Sequence, residues 1–108
     1  MSYQIVNGFG EGIDNPSVEQ MHQFLDWLDN SDEEHGEVWL THNETGWTLS
    51  CFPSSKLVFH QTFDDRQYKP RHITNVSRDK ILELWKKLAK GQIDELEKEC
   101  WKPGHSPI

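Results

Sequence analysis

Residues 37–52 leave this chain little freedom. Val38, Leu40 and His42 alternate with Glu37, Trp39 and Thr41; after Asn43-Glu-Thr-Gly46, Trp47, Leu49 and Cys51 alternate with Thr48, Ser50 and Phe52. A period of two sends successive side chains to opposite faces of a strand. The four-residue connection closes two such strands into an antiparallel hairpin, with Gly46 free to take positive φ. Pro53-Ser-Ser marks the next turn, and residues 56–63 read as a third strand with Leu57, Phe59 and Phe63 on its apolar side. Turns this short predict a meander.

A sheet with one apolar face has to cover it, and the flanking segments carry helix signals. Ser17 with Gln20 three residues on matches a capping box, and Val18, Met21, Phe24, Leu25 and Leu28 follow at helical spacing to about Asn30. Ser77 caps a second helix, with Asp79 in its first turn and Ile81, Leu84, Trp85 and Leu88 as its stripe. Lys86, Lys87 and Lys90 crowd its C-terminal end, and Gly91 stops it. Residues 3–9 read as a short first strand, 71–76 as an edge strand, and 93–100 as a further turn or short helix. The expectation is an α+β fold, an antiparallel sheet of about four strands packed against two α-helices. It forms a single domain over residues 1–108, with an irregular tail from about 101.

Charge narrows the range of partners. Up to Ser55 there are ten acids and no Lys or Arg; from Lys56 onward there are eleven basic residues and eight acids. The halves stand near −10 and +3, for a net −7. A half without cations is a poor ligand for phosphate backbones, and an anionic membrane repels it. No run has the length and apolarity of a membrane span, and residues 1–6 lack the basic start and apolar core of a signal peptide. A mean hydropathy of −0.80 is polar for a globular domain. Twelve aromatics, five of them Trp, nevertheless supply a core. Two cysteines fit a reduced, cytoplasmic protein better than a disulfide scaffold.

Catalytic signals are weak. No His-x-x-x-His or Cys-x-x-Cys is present, and Gly8-Phe-Gly-Glu-Gly12 lacks the Lys-Ser/Thr of a phosphate cradle. Asp32-Glu33-Glu34 and Asp64-Asp65 read as solvated loop charges rather than an acid and a base in contrasting surroundings. The alternative is a small metal- or thiol-dependent enzyme in which His42, Cys51 and His60 converge between paired strands. No cofactor is implied. The stronger signal is for binding: Asp26, Asp29, Asp32, Glu33, Glu34, Glu37 and Glu44 surround Trp39, which points away from Val38 and Leu40. An aromatic anchor among uncompensated acids suits a basic protein partner, because a surface selected for solubility alone mixes its signs.

The order of a capped helix, Val38-Trp-Leu-Thr-His-Asn-Glu-Thr-Gly-Trp-Thr-Leu, a third strand, Glu83-Leu-Trp-Lys-Lys-Leu-Ala-Lys-Gly and Trp101-Lys-Pro-Gly resembles small immunity proteins of bacterial polymorphic-toxin systems. Over residues 15–104 it is most similar to the first-described Imm family, found beside nucleic-acid deaminase toxins. The resemblance implies a non-enzymatic inhibitor that binds a cognate toxin domain and blocks its active site or substrate groove. It carries over no individual residue.

Overall fold

The expected hairpin is the centre of a wider sheet. The computed structural model describes residues 2–30, 36–63 and 70–103. In chain order these form β1 (Tyr3–Asn7), β2 (Gly12–Asp14), α1 (Val18–Asp29), β3 (Val38–His42), β4 (Trp47–Cys51), β5 (Leu57–Gln61), β6 (Arg71–Ile73), α2 (Arg78–Ala89), α3 (Ile93–Glu97) and β7 (Lys102–Pro103). The strands pair antiparallel throughout, in the order β2-β1-β3-β4-β5-β6-β7. Among the described residues the fold is α+β as expected, with seven strands rather than about four, two long helices as expected, and α3 where a further turn or short helix was expected over 93–100.

The missed strands have local causes. β2 and β7 are three and two residues long, too short for any periodicity. The Gly-rich stretch after β1 is a hairpin turn organised by Asn7, whose Oδ1 accepts the N–H groups of Phe9 and Glu11 at 3.0 and 3.1 Å. The third expected strand stops early, at Gln61. Phe63, expected beside Leu57 and Phe59, is instead 68 % exposed. The chain turns there because the Thr62 N–H donates back to the Gly46 carbonyl and the Phe63 N–H to Gln61 Oε1.

Register defines the two faces of the sheet. Ile5, Leu40, Leu49, Phe59 and Arg71 stand opposite one another in turn, as do Asn7, Val38, Cys51, Leu57 and Ile73. Their apolar members join Met21, Leu25 and Leu28 of α1, Ile81, Leu84, Trp85 and Leu88 of α2, and Leu96 of α3 in one core. Both long helices begin at their expected caps. Ser17 and Gln20 exchange hydrogen bonds in a complete capping box, and Ser77 Oγ accepts the Lys80 N–H.

The C-terminal segment is held to the same face by aromatic stacking. The Trp47 and Phe59 rings lie 4.6 Å apart, and Phe59 and Trp101 5.0 Å apart. Indole N–H groups inside this layer find backbone partners: Trp85 donates to the Leu49 carbonyl and Trp101 to the Leu96 carbonyl. Among the described residues, no helix is long and apolar enough to cross a membrane.

Candidate interaction surface

The second face of the sheet has a different chemistry. Val6, Trp39, Ser50, Val58, His72 and Lys102 face one another in sequence across β1, β3, β4, β5, β6 and β7. A second row holds Gln4, Thr41, Thr48 and His60. Val58 is buried yet stands outside the core cluster, so this face belongs to a separate layer. Its polar groups pair laterally: Thr41 Oγ1 lies 2.9 Å from Thr48 Oγ1, and Ser50 Oγ lies 3.0 Å from His60 Nε2. Trp39 sits half-buried between Val6 and Ser50, as its alternation with Val38 and Leu40 predicts. Glu37 precedes β3; extending the strand alternation by one residue sets it on the Trp39 side. Asp14, opposite Gln4 on β2, brings a further exposed carboxylate to this face.

The other acids expected at the site are dispersed. Asp26 is exposed on α1. Asp29, at the end of α1, is held by Arg78, whose Nε donates to Oδ1 at 2.6 Å while Nη2 donates to the Pro53 carbonyl. Glu44 lies past the opposite end of β3 from Glu37. Its Oε1 accepts the Ser2 N–H at 2.6 Å and its Oε2 is 3.6 Å from His42 Nε2. The Ser2 N–H holds the Glu44 carboxyl below its ordinary pKa. Asp32, Glu33 and Glu34 lie outside the described residues.

Ion pairs are more frequent in the second half, although Asp79 and Asp94 there also form none among the described residues. In the second half, Arg71 grips Glu97 through two bonds of 2.7 and 2.8 Å, Lys80 faces Glu83 and Glu99, Lys87 faces Glu83, and Lys98 faces Glu95. Arg78 reaches across to Asp29. Glu11, Asp14, Glu19, Asp26 and Glu37 form no ion pair among the described residues. The segregation by sequence is not a clean segregation in space, however. α1 and α2 pack side by side over the core, so α2 brings cations next to the acidic half.

The structure keeps the residues of the enzymatic alternative apart. His42 and Cys51 share the helix-covered face but sit toward opposite ends of the hairpin, Cys51 facing Val38. His60 faces Thr48 on the other side of the sheet. Cys51 is fully buried, and burial pushes its thiol well above the ordinary range, the reverse of what a nucleophile needs. His42 Nδ1 is 2.8 Å from Thr45 Oγ1 within the hairpin turn. Among the described residues, no three His, Cys, Asp or Glu side chains gather as a metal site.

Sequence reasoning passed over one exposed aromatic feature. Phe9, 63 % exposed in the first hairpin turn, meets Trp27 of α1 edge-to-face with centroids 5.7 Å apart. A phenylalanine between Gly8 and Gly10, in a tight turn at the sheet margin, has no core to enter; that placement was the available signal. Comparison with protein-family models, curated proteins and solved structures finds no match to this chain.

Proposed function

We propose that this protein is a non-enzymatic immunity protein: a cytoplasmic inhibitor that binds a cognate bacterial toxin domain acting on nucleic acid. It does so through the sheet face bearing Trp39, Glu37 and Asp14. The observation that carries the reading is the set of five acids of the first half without ion pairs among the described residues, on the same chain half as the half-buried Trp39. Toxin domains that grip nucleic acid present cationic clefts. An acidic surface competes with phosphate for such a cleft, and long-range attraction speeds encounter. Trp39 supplies the apolar anchor that charge alone does not. The resemblance to the Imm family agrees with this reading.

The test looks for a toxin-like domain encoded in the neighbouring reading frame and pairs the protein with it; a neighbour without one would count against the proposal. The expected result is rapid association that slows as salt rises, together with protection of cells expressing the toxin. Glu37→Lys with Asp14→Lys should slow association by about tenfold or more at low salt. Trp39→Ala should mainly speed dissociation. Unchanged protection and unchanged rates in all three substitutions would sink the proposal.

A further inference from the structure

A groove of about 420 Å³ runs between the start of α1 and the end of α2. Its apolar lining includes Pro16, Val18, Met21 and Ala89, and Lys86 and Lys90 stand at its rim. Met21 and Ala89 reach the groove from the core with little exposed area, and Val18, 45 % exposed, supplies most of its open apolar wall. Lys86 and Lys90 are exposed, lie four residues apart on one helix face, and form no ion pair among the described residues.

Two other grooves differ in charge. One includes Lys80, which is already engaged by Glu83 and Glu99. The other is lined by residues 91–95, with Asp94 and Glu95 among them. In a chain of net −7, uncompensated cations beside an apolar trough mark a local exception.

We infer that this groove is a binding site for a small anionic amphiphile, a carboxylate carried on an apolar chain. The chain would lie along Val18, Met21 and Ala89, and the carboxylate would sit between the ammonium groups of Lys86 and Lys90. Size supports a small molecule: pockets for such ligands span roughly 300–1,000 Å³ and join apolar walls to a few placed polar groups. Charge supports an anion, because Lys86 and Lys90 are exposed cations without an ion pair among the described residues and attract a carboxylate. The site lies apart from Trp39 and is independent of the proposed toxin inhibition.

The test is titration of the full chain with decanoate below its micelle concentration, followed by amide chemical shifts. Decyltrimethylammonium, decyl maltoside and acetate serve as comparison probes. Saturable shifts confined to residues around 16–21 and 86–90, with decanoate binding more tightly than the other three, are expected. Lys86→Glu with Lys90→Glu should weaken decanoate by at least about tenfold. Val18→Asp provides a second variant that favours the helix, since an acid at the first helical position suits the dipole. It should nevertheless repel the carboxylate and weaken binding. The inference is overturned by equal affinity for decyltrimethylammonium or decyl maltoside, by shifts spread over the sheet, by no saturable shift, or by variants that bind decanoate like the parent.

Discussion

The two faces of the sheet are built from the same strands, residue by residue in alternation, yet they do different work. On the helix-covered face Ile5, Leu40, Leu49 and Phe59 are fully buried among apolar side chains. On the other, Thr48, Ser50 and His72 are buried together with Val58, and the Thr41 and Thr48 hydroxyls, like the Ser50 hydroxyl and the His60 imidazole, pair within that layer. Burying apolar area stabilises, whereas burying a polar group is close to neutral once its hydrogen bonds are made. The first face therefore holds most of the folding free energy. The second has room to carry residues chosen for something else, and Trp39 stands on it.

The largest effect should come from the apolar face. Phe59 is stacked between Trp47 and Trp101, and its ring lies 5.0 Å from the Arg71 guanidinium. Phe59→Ala removes a ring from a close-packed site and should cost about 3–5 kcal/mol. Trp39→Ala on the opposite face should cost clearly less in urea unfolding. Equal losses would erase the contrast between the faces.

The joint between β3 and β4 comes next. Gly46 sits at φ +76°, and a Cβ there would strike Gln61 Oε1 and the Phe63 ring. Gly46→Ala combines left-handed strain with a clash and should cost about 2–3 kcal/mol by urea unfolding. A smaller loss would mean that the Phe63 side moves aside easily.

The cysteines read out the same contrast chemically. Cys51 is buried on the apolar face and Cys100 is exposed near the C-terminal strand. One thiol should react promptly with Ellman's reagent in the native protein and two after unfolding. Cys51→Ser buries a hydroxyl at that site and should cost about 1–3 kcal/mol in chemical denaturation.

The smallest effect concerns the ion pair at the sheet margin. Hydrogen bonding from Arg71 holds the Glu97 carboxyl below its ordinary pKa. A carboxyl with a lowered folded pKa adds stability above the ordinary carboxylate value and loses it as pH falls through the lower, folded value. Glu97 is 41 % exposed, so solvent screening keeps this contribution below about 1 kcal/mol. Glu97→Gln should flatten that part of the acid limb of a stability–pH curve. An unchanged acid limb would mean that the pair contributes nothing there.

Much of this arrangement was legible because it depends on local rules. The Ser17–Gln20 capping box, the Ser77 cap, the face assignment of Val38 through Cys51 and the positive φ of Gly46 follow from neighbours a few residues apart. β2 and β7 were not legible, since strands of three and two residues are created by an adjacent strand edge rather than by their own pattern. Phe63 escaped the alternation of residues 56–63 because the Gly46 carbonyl accepts the N–H of Thr62, sixteen residues on, and turns the chain there. The acidic cluster shows the same limit. Sequence proximity grouped Asp29, Glu37 and Glu44, but Arg78 holds Asp29, Ser2 holds Glu44, and Glu37 lies toward Trp39.

By itself, then, the sequence determined that an antiparallel hairpin of period two would be covered by two capped amphipathic helices, and that cations would be confined to residues after Ser55. Periodicity, capping and composition are short-range properties and survive any rearrangement of the rest. Which acids stay uncompensated, which face Trp39 shares with Ser50 and His72, and that Lys86 and Lys90 border an apolar groove beside Val18 were decided only by tertiary structure. Those facts depend on register and on the packing of α1 against α2, which join residues distant along the chain.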